Sequence, residues 1–155
     1  MKPANFLTKI DMITERLTGP IQKFIDEDSV WNIRLCLREA LINAIEHGNL
    51  EIDFETKTKA LERGNYLEFI AQRQNLPEFR DRKIKIEYSL ASHEVTYRLT
   101  DQGKGFDHRK MMKQQPDHRT QAKMEHGRGL MLLKETFDRI EFNEAGNEVL
   151  LVKYL

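Results

Sequence analysis

The period of the hydrophobic pattern changes along this chain, and that change limits the fold more than any other feature. Before residue 80, apolar side chains recur at threes and fours. Phe6, Ile10, Ile13, Leu17, Ile21 and Phe24 mark a first segment, and Leu37, Leu41, Ala44 and Ile45 a second. Such spacing lines one face of a helix. From residue 83 the period falls to two. "KIKIEYSL" alternates Ile84, Ile86, Tyr88 and Leu90, "EVTYRLT" alternates Val95, Tyr97 and Leu99, and Ala91-Ser92-His93 lies between them as a turn. These runs predict half-buried strands. "GLMLLKETF", 129–137, reads as a helix starting just after a Gly-Arg-Gly turn, and "DRIEFNE" and "NEVLLVKYL" flank Ala145-Gly146 as a closing hairpin. Helices first, then strands surrounding one more helix, predict an α/β (α+β) two-layer sandwich. Its sheet would be mixed, mostly antiparallel, with helices on one face.

Boundaries follow from local chemistry. Proline removes a donor and crowds the preceding turn, so Gly19-Pro20 should interrupt the first helix. The second is expected to begin near Asp28 or Ser29, either a good N-cap, and to run to His47 before Gly48-Asn49 stops it. Residues 54–79 predict helix broken at Gly64-Asn65 and ending before Pro77. A length of 155 residues fits a single domain, 1–155, with a real hydrophobic core.

Composition removes several classes of function. Lys+Arg and Asp+Glu both number 25, so no net charge draws the chain to nucleic acid or an anionic membrane. Cys36, the one cysteine, excludes an intrachain disulfide and suggests no Cys-based zinc site. The start, MKPANFLTKIDMITERL, mixes both charge signs unlike a signal peptide, and no apolar run approaches the roughly 20 residues of a membrane span. A reduced, cytoplasmic location is expected.

Three stretches carry chemistry. In "LREALINAIEHGN", 37–49, Glu39, Asn43 and Glu46 fall on one side of a helical wheel with Asn32 below them. Val30, Leu37, Leu41 and Ala44 face a core, while Leu35, Cys36 and Ile42 border the polar strip. An isolated Glu-xxx-Asn pair is more often a solvated helix face. "LTDQGKGFD", 99–107, ends a strand on Asp101 and follows it with Gly103 and Gly105. Glycine at both places lets a ligand approach with no Cβ in the way. A calcium loop would need oxygen ligands at those glycines. A dinucleotide fingerprint would need a third glycine where His108 stands. "EHGRGLMLL", 125–133, sets Gly127 and Gly129 around Arg128 at a helix start, where free N–H groups and the dipole favour an anion. His47 alone reads as a cap or packing residue. His108, His118 and His126 lack metal-ligand spacing.

Taken together and in this order, the stretches resemble the N, G1 and G2 boxes of the GHKL ATPase superfamily, which includes gyrase-type ATPases, MutL and histidine-kinase catalytic domains. Residues 28–50 and 93–155 carry the resemblance. It implies the Bergerat ATP-binding fold, with ATP and Mg2+ as ligands. Within the superfamily, the small size and the ending "VKYL" look most like the stand-alone anti-sigma-factor serine/threonine kinases of bacteria. On that reading Asn43 supplies magnesium with an amide oxygen beside the ATP phosphates, and Glu39 is the catalytic base. Asp101 accepts from the adenine amino group, and Gly103 and Gly105 let their loop pass the base. Gly127, Arg128 and Gly129 meet the phosphates, and 107–126 is the ATP lid. The implied partners are a sigma factor and a small antagonist protein that receives the γ-phosphoryl group, and a homodimer is compatible with the pattern.

The chain also departs from that pattern. No N-terminal strand precedes the first helix, 51–82 is an extended insertion, and the final strand has no Thr or Ser near the base. Two other readings stay open: a stand-alone histidine-kinase-like catalytic domain, and a nucleotide-gated binding module without kinase activity.

Overall fold

The computed structural model describes residues 6–105 and 125–155. Helix α1, Phe6–Thr18, ends where expected, and Gly19–Ile21 forms one tight turn with Pro20 in it. Helix α2, Glu27–Asn43, starts earlier than the sequence suggested: Asp26, not Asp28 or Ser29, is the cap, its side chain accepting from the Ser29 N–H. Three good capping residues within four positions, Asp26, Asp28 and Ser29, leave the start ambiguous in the sequence. From Ala44 to Asn49 the helix widens into a π-helical turn rather than running on as α-helix to His47. Such turns concentrate at functional sites.

Helices α3, Phe54–Arg63, and α4, Tyr66–Gln74, follow. They are separated at Gly64, whose φ of 74° is the left-handed cap glycine accepts readily. Strands β1, Lys85–Leu90, and β2, Glu94–Thr100, form a hairpin; helix α5, Glu125–Thr136, leads to β3, Arg139–Phe142, and β4, Glu148–Tyr154. The sheet order is β1-β2-β4-β3, and every pairing among the described residues is antiparallel rather than mixed.

Register places Ile86, Tyr88 and Leu90 opposite Leu99, Tyr97 and Val95. Tyr97 in turn faces Leu151, so one sheet face is an apolar layer. Helices α1, α2 and α5 cover its β2–β4 part, bringing Ile10, Leu37, Leu41 and Leu133 against Tyr97 and Leu151. Strand β1, expected to be half-buried, instead lies at the sheet edge with Tyr88 and Leu90 exposed. Burial at this scale is the main force holding two layers together. The Tyr97 hydroxyl, deep in the core, donates to the Leu17 carbonyl at 2.8 Å and so ties the sheet to the end of α1. Cys36 and Ile42, which the wheel put beside the polar strip, are core residues. Burial pushes the Cys36 thiol up to about 11, as befits a packing group rather than a reactive one.

A smaller apolar cluster of Leu50, Ile52, Ile70 and Phe79 seats α3 and α4 beside the end of α2. Among the described residues no helix is long and apolar enough to cross a membrane.

Candidate functional site

The π-helical turn is where the site is built. It brings Gly48 against the end of β2 so closely that a Cβ there would stand 2.5 Å from the Asp101 carboxyl. A Cβ on Gly103 would in turn collide with the Gly48 carbonyl. Gly105, at φ 83°, leaves no room for a Cβ beside the Ala145 carbonyl. Gly103 and Gly105 are therefore requirements of close backbone approach, and Gly48 of the Asp101 side chain packed on it. The Asn49 side chain fastens the same junction, accepting from the Gln102 N–H at 2.6 Å.

On the far side of Asp101 the β3–β4 turn closes in. The Asn143 side-chain oxygen accepts from the N–H groups of Gly146, Asn147 and Glu148, which holds the turn. Asn147 exchanges bonds with the Asp101 backbone: its carbonyl accepts from the Asp101 N–H at 2.8 Å, and its side chain donates to the Asp101 carbonyl at 3.2 Å.

The result is a cleft, open to solvent, between α2 and the ends of β2 and β4. Asn43, Asp101 and Gly105 line it, all anticipated from sequence. Gly103 holds the loop behind Asp101, its N–H donating to Oδ1 at 2.8 Å. Glu39 stands one turn before Asn43 on α2, half-buried, and is not part of the lining.

Helix α5 begins at Glu125, so Gly127, Arg128 and Gly129 lie inside its first turns rather than in a turn preceding it. Helix geometry still leaves the earliest N–H groups without intrahelical partners. Leu133, two turns further, reaches the cleft wall. The expected lid, 107–126, falls almost wholly in 106–124, outside the described residues, as do His108 and His118.

Electrostatics are concentrated at Asp101. Burial pushes its carboxyl above the usual aspartate range, opposed by the Gly103 N–H and by the charge of Arg82. A buried, one-sided acceptor of this kind selects for a ligand that donates to it. Glu46 differs from its wheel assignment. It is 1% exposed, and Lys57 of α3 reaches its Oε2 at 2.8 Å.

Sequence reasoning passed over three further contributors. His47 lines the cleft, and its spacing of four from Asn43 was the available signal. Asn147 lines it as well, and the Asn residues bounding "NEAGN" were the sign of a side-chain-closed turn. Phe54, also in the wall, had no sequence signal.

Among the described residues no group of three or more His, Cys, Asp or Glu could hold a metal ion. A single carboxamide oxygen suits magnesium, which keeps several waters and takes its other ligands from phosphates. A family model described as the histidine kinase-like ATPase domain matches residues 12–153. A comparison with curated proteins finds no match.

Proposed function

The chain belongs to the histidine kinase-like ATPase domains, an ATP-binding family, and from that premise we propose that it is a serine/threonine kinase of the anti-sigma-factor type. It transfers the γ-phosphoryl group of ATP to a hydroxyl of a small antagonist protein and holds a sigma factor or similar regulator in exchange. The observation that carries the nucleotide part is the placement of Asp101 and Asn43 in the wall of one cleft.

In this reading Asp101 accepts from the adenine exocyclic amine, while guanine would turn a carbonyl toward it. Asn43 holds magnesium through its side-chain oxygen; the metal, when bound, neutralises phosphate charge. Gly127 offers an N–H group in the first helical turn, Arg128 a positive charge, and Gly129, whose N–H is taken up by the helix, a surface without a Cβ, at the phosphate end. Glu39 takes the proton of the attacking hydroxyl, residues 107–126 close over the nucleotide, and 1–155 acts as one domain.

Incubation with γ-labelled ATP and a candidate antagonist tests the transfer. The expected product is acid-stable phosphoserine or phosphothreonine, absent with Glu39→Ala. An acid-labile, base-stable product would point to histidine transfer instead. The position of Glu39 outside the cleft lining favours a second reading, a nucleotide-gated binding module without transfer. Tight ATP binding with no transfer to any partner would select it.

A further inference from the structure

The wall of the cleft includes one residue from outside the helix–sheet sandwich. Phe54 is the first residue of α3, and Asp53 fixes it there by accepting from the Thr56 N–H at 2.7 Å. It lies against His47, ring centroids 3.9 Å apart and planes tilted by 39°. The Ile52 carbonyl accepts from His47 Nδ1, so the imidazole is anchored to the connector that leads into α3. His47 precedes Gly48, the residue packed on Asp101. The two rings therefore share the cleft with Asp101, where the nucleoside belongs on the reading above. Phe54 keeps 37% of its surface exposed.

The same helix pair is fastened to the base-binding junction at several points. Lys57, one turn into α3, pairs with buried Glu46 and lies 5.5 Å from the Tyr66 ring of α4. Arg73 of α4 donates to the carbonyls of Leu50 and Glu51. Arg82 donates to the Asn49 carbonyl at 2.8 Å, and Asn49 holds the Gln102 N–H next to Asp101. Apart from Lys57–Tyr66, which is internal to the helix pair, these contacts, including that of Arg82 beyond the end of α4, converge on residues 46–51. A buried ion pair such as Glu46–Lys57 is poor evidence of added stability, and fixing the register of packed elements is its better-attested use.

We infer that Phe54 contacts the nucleoside and that, through it, the α3–α4 pair responds to nucleotide occupancy. A ligand that touches both the end of α2 and the start of α3 favours the arrangement in which they are packed together, by the difference in its affinity for the two arrangements. Because the contact is at the base, ADP produces it as well as ATP. The surface that α3 and α4 present, including exposed Leu61 and Leu67, is thereby set by the pocket. This inference rests on the nucleotide reading of the cleft.

Hydrogen exchange of the full chain with and without ADP, paired with ADP affinities, tests it. Amides of 54–74 are expected to exchange several-fold more slowly with ADP. Phe54→Ala should weaken ADP about tenfold, the scale of aromatic stacking on one base, with Phe54→Tyr close to wild type in both affinity and ligand-free melting temperature. If the wild-type chain binds ADP in an Asp101-dependent way but neither the exchange of 54–74 nor the Phe54→Ala affinity moves, the inference falls and the nucleotide site stands. If the wild-type chain binds no ADP, both fall. Should Phe54→Ala fail to fold, the wild-type exchange data alone decide.

Discussion

The two sides of the cleft are made of different materials. Around Asp101 the walls are tightly packed. Gly103 and Gly105 lie against the backbone carbonyls of Gly48 and Ala145, and Gly48 against the Asp101 carboxyl, with no room for a Cβ at any of the three. Around Phe54 the wall is side chain, the Phe54 ring of α3 tilted against the His47 ring of the π-helical turn, with α3 and α4 held by a small apolar cluster and a few polar ties. Close-packed backbone cannot adjust by rotamer, so the first side is pre-shaped and discriminates. The second can shift with α3 and α4. The contrast assigns recognition to one wall and response to the other.

The most severe test of the stiff wall is Gly103→Ala. The new methyl meets the Gly48 carbonyl, and relief requires moving either the base loop or the end of α2. Overpacking of this kind costs about 1–3 kcal/mol of stability, and nucleotide affinity should be lost with it; denaturant unfolding and calorimetry read the two effects. A variant as stable and as tight-binding as wild type would mean the wall is soft.

Next comes Asp101→Ala. Loss of a hydrogen bond to a charged group is worth about 1.5–3 kcal/mol, roughly 10- to 100-fold in ATP affinity. Acidity sharpens the point. The carboxyl titrates above its ordinary 3.8 because it is buried, so lowering the pH protonates it early and removes the acceptor. ATP affinity should therefore fall in the range just above 3.8, where a solvent-exposed aspartate would still be ionised. Ligand-free stability should move the other way. The folded chain holds that proton more tightly than the unfolded one, so Asp101's contribution declines as pH rises through the same window. Melting curves of wild type and Asp101→Ala against pH, with and without ATP, separate the two slopes.

Phe54→Ala, on the compliant wall, should cost less than Asp101→Ala, about tenfold at most. Equal or larger losses would erase the distinction between the walls. The smallest change in affinity is expected at Glu39→Ala, which lies outside the lining and should bind ATP within about twofold of wild type while phosphoryl transfer drops by about 100-fold or more, the usual share of a general base.

Much of this was readable from the residues themselves. The period-two runs of β1 and β2 became a hairpin in the expected place, though only β2 buries one face as its alternation implied, while edge strand β1 keeps Tyr88 and Leu90 exposed. The break at Gly64-Asn65 came true through a left-handed cap that few other residues accept. Asn43, Asp101 and Gly105 were found by motif and do line one cleft. What escaped depended on partners distant in sequence or on unusual hydrogen bonding. Glu46 looked solvated because Lys57, which buries it, sits beyond the end of its helix. The π-helical turn has no periodic signature, yet it carries Gly48 to Asp101. Helix α5 begins at Glu125, ahead of its glycines, so helical backbone continued through residues that normally interrupt it.

Adenine selectivity of the cleft is tested most directly by the melting temperature of the wild-type chain with magnesium and either ATP or GTP. At about 100 times its dissociation constant, ATP should stabilise the fold by about 2.7 kcal/mol, a shift of several degrees, while equimolar GTP should leave the transition near that of the free protein. Equal shifts with the two nucleotides, or none with either, would contradict the role given to Asp101.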